Sequence, residues 1–413
     1  MKVVIAGAGF GGLKLARKLN NKKNIEVLLI DRFNFHQFQP LFYQVATAGL
    51  DASNISFPLR KVFHKSRNVR IRLADIQRIV ATENKLVTSA GDIPYDVLVI
   101  ATGADTNFFG NENLMGNAFP MKSTLDALQL RRGLLLNFEN ALEETNPEEL
   151  QRRMNIVVVG GGPTGVEMAG AIAELAHHTI VRDFRHINPT QTRIILVEAG
   201  SRILSAFPDK LSESAAKQLA RLGVTVMIQA AVTDCGSDGI TLKDGRRIET
   251  ATIIWAAGVM ASPAGKWLEA QCDRAGRVVV DATLRLPGSD NIFVIGDTAT
   301  VTDVNGVAVP GIAPAAKQMG YFAAASILGD LKGSPRRTFK YRNYGNLATI
   351  GRSSAVADFG RFTLSGFPAW FIWCFAHIWF LIGFRNRLIV FLDWIVSYVS
   401  FDRGVRLITG GEN

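Results

Sequence analysis

Uniformly apolar runs alternate with glycine-rich turns along most of the chain. KVVIA at residues 2–6 leads through GAGFGG into a stretch with apolar residues at helical spacing, and EVLLID then restores a second apolar run. Strands covered on both faces read this way, so the pattern predicts parallel α/β units. It recurs from Asn155, where NIVVVGGGPTGVEMAGAIAEL is followed by RIILVEAG, while VLVIATG (97–103), TIIWAAG (252–258) and NIFVIGD (291–297) end in similar turns. Between the two copies the spacing predicts a connecting amphipathic helix from about Thr124 to Glu144, capped by Ser123 and closed at Asn146-Pro147. The predicted fold class is α/β, with two Rossmann-like doubly wound dinucleotide-binding domains, one inserted in the other.

The pattern changes near the end. FPAWFIWCFAHIWFLIGF, residues 367–384, carries no Asp, Glu, Lys or Arg, and as one helix it would measure about 27 Å, close to a bilayer core. Arg385 and Arg387 follow, and then LIVFLDWIVSYVSF, in which Asp393, Ser397 and Ser400 make one polar stripe at helical spacing. A span would carry both arginines across the membrane, against the positive-inside rule. Two amphipathic helices lying in the lipid interface over 367–401 fit better, with Trp370, Trp373, Trp379 and Trp394 at headgroup depth. A second copy of the chain, in a homodimer, is the other occupant such a surface suits.

Charge supports the lipid reading. The net charge is +10, and residues 332–413 hold eleven Lys/Arg against Asp358, Asp393, Asp402 and Glu412, a surplus of seven. RRTFKYRNY (336–344) interleaves bases with aromatics as single-strand binders do, but beside a membrane segment it is read as facing lipid, with no nucleic acid partner. Cys235, Cys272 and Cys374 are odd in number and far apart, which excludes a disulfide framework, a zinc site and a paired redox dithiol. No metal spacing involves the adjacent His177 and His178. No apolar targeting segment precedes the first strand, so a cytoplasmic location is expected, at the inner face of the cell membrane.

The chemistry lies in the glycine turns. Gly7 allows a tight turn, Gly9 lets a pyrophosphate approach the backbone, Gly12 permits close helix packing, and Asp31, nineteen residues after Gly12, can hold a ribose hydroxyl. In the second copy, Gly160, Gly162 and Gly165 take the same places and Glu198 closes the following strand, 33 residues after Gly165. An insertion of roughly HHTIVRDFRHINPTQT accounts for the extra length. A carboxylate there favours NAD over NADP, and Arg202 nearby would oppose that choice. Two nucleotide sites in one chain imply a relay between one fixed and one exchanged cofactor. Glu167, two residues after Gly165, is expected to face the region between them; it either supplies a proton or favours the helix N-terminus by charge.

With both fingerprints placed, the chain resembles the two-dinucleotide-binding flavoproteins, and within them the type II NADH dehydrogenases, non-pumping NADH:quinone oxidoreductases. The resemblance rests on HQFQPLFYQVATAGL (36–50), GGGPTGVEMAG (160–170), WAAGVMASP (255–263) and FVIGDTA (293–299). It implies that the first fingerprint binds FAD, with Gly296 and Asp297 returning to contact it, and that the second binds NADH. Gly7, Gly9, Gly12, Asp31 and Asp297 therefore carry over to FAD, and Gly160, Gly162, Gly165 and Glu198 to NADH. Gln44, Gly103 and Gly258 join the cofactor-binding set. Many members carry Ala-Gln-x-Ala-x-Gln at the flavin and quinone site, where this chain reads Ala313-Pro314-Ala315-Ala316-Lys317-Gln318. Gln318 matches the second glutamine, and Lys317 is either its companion in catalysis or a solvated helix residue.

The implied domains are 1–120 and 285–352 for FAD, 121–284 for NADH, and a membrane-associating region at 353–413. The activity expected is hydride transfer from NADH to FAD and then two electrons to a membrane quinone. A reductase of a soluble redox protein and a noncatalytic membrane-docked redox sensor are the competing readings. The absence of cysteine from residues 32–60 argues against both the disulfide reductases and the sulfide:quinone reductases of the wider superfamily, which depend on cysteines. Both fingerprints are complete before residue 300, so the nucleotide sites are expected to stand without the tail from about 367 onward.

Overall fold

The computed structural model describes residues 1–184, 191–400 and 403–408. Two units alternate along the chain: the first comprises Met1–Gln37, Phe57–Asp105 and Val259–Tyr344, the second Phe38–Ser56, Thr106–Gly258 and Gly345–Asn413.

The first unit is built on a five-stranded parallel sheet, in the order Ile292–Val294, Val97–Ile100, Lys2–Ala6, Glu26–Asp31, Val69–Leu73. Val3, Val4, Ile5 and Ala6 in its central strand are fully buried, as a sheet covered on both faces requires. The helix Phe10–Leu19 leaves the first glycine turn and packs on the helix Ala313–Asp330. The approach is close enough that a side chain on Gly320 would collide with the carbonyl of Gly11. A small antiparallel sheet, Ile76–Val80, Lys85–Thr88 and Gly91–Pro94, completes the unit.

The second unit repeats the plan, with parallel strands in the order Ala118–Pro120, Thr252–Trp255, Asn155–Val159, Arg193–Val197, Val224–Met227. Both doubly wound sheets are thus as the apolar runs predict. Ser123 caps the helix Thr124–Leu142 through a capping box with Asp126. Asn146-Pro147 does not close that helix but opens the next, Pro147–Met154, because Asn146 accepts from the N–H groups of Glu148 and Glu149 and proline suits a first helical position. Within the expected insertion, residues 185–190 lie outside the described residues.

The domain boundaries differ from those read in the sequence. Residues 259–284 go with the first unit, while 38–56 and everything from Gly345 go with the second. An antiparallel sheet of Asn346–Gly351, Ser354–Asp358 and Thr363–Gly366 packs on the helix Pro163–Glu174, where a side chain at Gly170 would strike the carbonyl of Ile350. The tail is part of the second unit's core and not an appendage.

Two helices cover the apolar region, as expected, but the first is shorter than the stretch 367–384: Phe367–Phe380 has 14 residues, about 21 Å, and Phe384–Ser400 follows a break at Leu381–Gly383 in which Gly383 takes φ +87°. No helix among the described residues is long and apolar enough to cross a membrane. The tryptophans divide. Trp379 is 62% exposed, whereas Trp373 is buried against Tyr43, His377 and Trp394, so Trp373 does not lie at headgroup depth.

Candidate functional site

In the first unit the glycine turn follows the central strand, and Gly7, at φ +105°, turns it. A side chain at Gly9 would meet nothing within 4 Å, so open space lies in front of its backbone where a pyrophosphate could approach. The carboxylate of Asp31 accepts from Ala8 N at 2.6 Å and Phe33 N at 2.8 Å, which ties the strand end to the turn. Burial raises its pKa, outweighing those two N–H groups. His36 donates from Nδ1 to the carbonyl of Ala8 at 2.9 Å, and burial holds its ring neutral, with a pKa of about 4.

Two further turns converge in this unit. Thr298, at the end of the 3₁₀ turn Gly296–Thr298 that carries Asp297, receives the N–H of Gly103 at 2.7 Å and donates to its carbonyl at 3.1 Å. Space is open at Gly103, where a side chain would meet nothing within 4 Å. Gly12 packs beneath the turn, and Gly296 N donates to the sulfur of Met319 at 3.2 Å. The cradle at Gly9 and Gly103 fits an extended, doubly charged nucleotide such as FAD. Lys317 lies half-buried with its ammonium 4.9 Å from the Phe10 ring centre, and burial, with Lys14, pulls its pKa down to about 8. Lys317 is therefore not a freely solvated residue. Gln318 exchanges two 2.9 Å hydrogen bonds with the backbone of Arg342, leaving one N–H and one lone pair for a ligand.

The second unit holds the other nucleotide cradle. Gly160 takes φ +108°, Gly162 has open space before it, and Gly165 packs beneath the turn. The Glu198 carboxylate accepts from Gly161 N at 2.5 Å and Gly200 N at 2.6 Å, at the rim of the glycine turn. Arg202 does not oppose it. Its guanidinium is spent on Phe207 O (2.7 Å), Ser212 Oγ (2.7 Å), Ser205 O (2.9 Å) and Asp209 (3.3 Å).

Glu167 lies deep in this unit with part of its surface still accessible. Burial pushes its carboxyl up to about 8, against the smaller pull of the Thr349 N–H at 3.3 Å and the Trp373 indole. The buried Tyr43 phenol faces the same region, its pKa raised by burial first and by Glu167 second. Gln44 donates to the Tyr43 hydroxyl at 2.8 Å and accepts from the Trp394 indole at 2.7 Å. The unit thus joins Glu167 and Gln44 through residues that sequence reasoning missed: Tyr43, Thr349, Trp373 and Trp394. Tyr43 sits inside the stretch HQFQPLFYQVATAGL and was available there; the two tryptophans read as facing lipid, because the sequence around them does not show which aromatics turn inward. Among the described residues no group of His, Cys, Asp or Glu could hold a metal.

Such a pair of nucleotide-binding α/β units defines a pyridine nucleotide flavoprotein. Residues 1–320 match the family model described as pyridine nucleotide-disulphide oxidoreductase, and residues 344–401 match that of the NDH2 C-terminal domain. The chain is 43% identical to a type II NADH:quinone oxidoreductase of Mycobacterium tuberculosis, covering 99% of this chain and 90% of that protein. It is 32% identical to the type II NADH:quinone oxidoreductase of Haemophilus influenzae, with 86% of each covered. A solved structure of NDH2 from Plasmodium falciparum in complex with NADH superposes with a TM-score of 0.89 over 99% of both chains at 21% identity, which is likeness of fold. The chain belongs to the type II NADH:quinone oxidoreductase family.

Proposed function

We propose that this chain oxidises NADH and delivers the two electrons to a membrane quinone, with Glu167 as the proton donor. Gly7, Gly9, Gly12, Asp31, Gly103, Gly296 and Asp297 would hold FAD, and the chemistry supplied by the bound flavin is the two-electron relay between donor and acceptor. Gly160, Gly162, Gly165 and Glu198 would bind NADH, whose free ribose hydroxyls suit a carboxylate whose neighbouring arginine is otherwise engaged. The balance is NADH + H⁺ + quinone → NAD⁺ + quinol, so one proton must come from outside the nicotinamide.

The observation that carries the reading is the Glu167 carboxyl, deep, partly accessible and raised to about 8, so that it holds a proton at neutral pH. Tyr43 and Gln44 orient that corner of the unit, and Lys317 and Gln318 are proposed to contact the acceptor. Glu167→Gln should slow turnover with quinone while leaving flavin bleaching by NADH and turnover with ferricyanide, which takes no proton, unchanged. Equal loss with both acceptors would remove Glu167 from the proton path. The exposed apolar face of the C-terminal helices is proposed to lie on lipid at the cytoplasmic face of the membrane.

A further inference from the structure

Phe109 has no part in the chemistry above, yet its setting is unusual. Its backbone is held at φ +54°, a left-handed conformation that costs a bulky residue about 1 kcal/mol or more. Phe109 is 68% exposed, more than any other large apolar residue among the described residues outside the helices Phe367–Phe380 and Phe384–Ser400. Strain and exposure at one aromatic residue are costs that folding alone does not explain.

The strain is imposed by an organised loop. Asn107 N donates to Gly258 O at 3.3 Å, the Trp255 indole donates to Asn107 O at 2.9 Å, and Phe109 N donates to Asn107 Oδ1 at 2.8 Å. The Phe109 ring stands edge-on to Trp255, with centroids 6.3 Å apart, and its tip lies 3.0 Å from where a side chain on Gly258 would begin. A side chain at 258 would be strained at φ +86° and would crowd that ring.

The sheet order says what passes in front of it. Ligands of doubly wound sheets lie across the carboxyl ends of the strands. Here Glu198 ends Arg193–Val197, the glycine turn ends the adjacent Asn155–Val159, and on the other side Thr252–Trp255 runs in register, Val159 beside Trp255, into the turn of Gly258. Ala256 and Ala257 press against Gly160. A dinucleotide with its adenosine ribose on Glu198 and its pyrophosphate on the glycine turn therefore sends its other half toward Gly258.

We infer that Phe109 packs against the nicotinamide riboside half of NADH and sets the affinity for that half of the substrate. The inference rests on the placement of the adenosine half at Glu198 proposed above. An exposed aromatic ring beside a glycine suits a flat, partly aromatic ring and its ribose, and the hydrogen bonds of its loop lower the ordering cost of presenting it.

The test compares wild-type holoenzyme with Phe109→Ala and Phe109→Tyr, using NADH as donor and ADP-ribose, which lacks the nicotinamide, as competitor. Phe109→Ala should raise the half-saturating NADH concentration about tenfold and leave inhibition by ADP-ribose within about twofold, with Phe109→Tyr restoring NADH affinity. An unchanged NADH dependence, or equal weakening of NADH and ADP-ribose, would overturn the inference. Failure of ADP-ribose to inhibit the wild type would remove the Glu198 placement, and this inference with it.

Discussion

At the scale of single residues, Glu167 ties function to stability. Its folded pKa of about 8 stands above the ordinary carboxylate value of 4.5, so between those values the native state binds a proton that the unfolded chain has lost. Its contribution to stability must then fall as pH rises from about 4.5 to about 8 and level off beyond. Glu167→Gln removes that dependence: thermal unfolding of the variant should match the wild type near pH 4.5 and exceed it increasingly toward pH 8. A constant offset across that range would mean that the carboxyl titrates normally. Glu198 offers a second test. Since Arg202 is bound up with Phe207, Ser212 and Asp209, the carboxylate alone should disfavour a 2′-phosphate, and Glu198→Gln should lower the NADH over NADPH preference in kcat/KM roughly tenfold without loss of flavin. Both glycine turns and the carboxylates at their rims, Asp31 and Glu198, were legible because their pattern is local in sequence. The surroundings of Glu167 were not, since Tyr43, Thr349 and Trp373 come from three distant segments and only packing brings them together.

At the scale of elements, the helix Pro163–Glu174 connects the cradle to the tail. It starts at the glycine turn, carries Glu167 in its first turns, and ends at Glu174, which accepts from the backbone N–H of Arg352 and from the Arg403 guanidinium at 3.1 Å. Arg403, itself buried, also donates to Thr47 O at 2.8 Å, just beyond the helix Phe42–Ala46 that bears Tyr43 and Gln44. Removing the arginine alone leaves the half-buried Glu174 carboxylate with the Arg352 N–H and no counter-charge, at a cost below the about 3–5 kcal/mol of a fully buried pair. Arg403→Met should therefore lower the unfolding temperature clearly, and adding Glu174→Gln should recover part of the loss; a double variant no better than the single would deny the pair. No periodicity could have announced this contact. The sequence pattern predicts helices and strands well where apolar runs are long. It fails at the Leu381–Gly383 break, because an unbroken apolar stretch conceals both the left-handed glycine and the inward turn of Trp373.

For the molecule as a whole, the question is how a chain with two nucleotide cradles reaches an acceptor in lipid. The tail from about 367 cannot be tested by cutting it off, since Trp373 covers Tyr43 and Arg403 pairs with Glu174 on the Glu167 helix. Its outward face can be tested instead. Phe371, Phe375 and Trp379 recur four residues apart and are 63%, 64% and 62% exposed, while Ala369 and Trp373 turn inward. Phe384, Phe391, Leu392, Ile395 and Val399 continue an exposed apolar surface on the second helix. Burying such a surface in lipid is worth about 25 cal/mol per Å², and each nearby arginine on an anionic leaflet adds roughly 1 kcal/mol. Phe371→Glu with Phe375→Glu should release the protein from anionic vesicles and cut activity with a long-chain quinone, while NADH oxidation by ferricyanide and flavin content persist. Retention on the vesicles would assign this face to a second copy of the chain, which sedimentation of the wild type and the variant would then detect as a dimer lost on substitution. Release from the vesicles with quinone activity intact would instead separate membrane attachment from access to the acceptor.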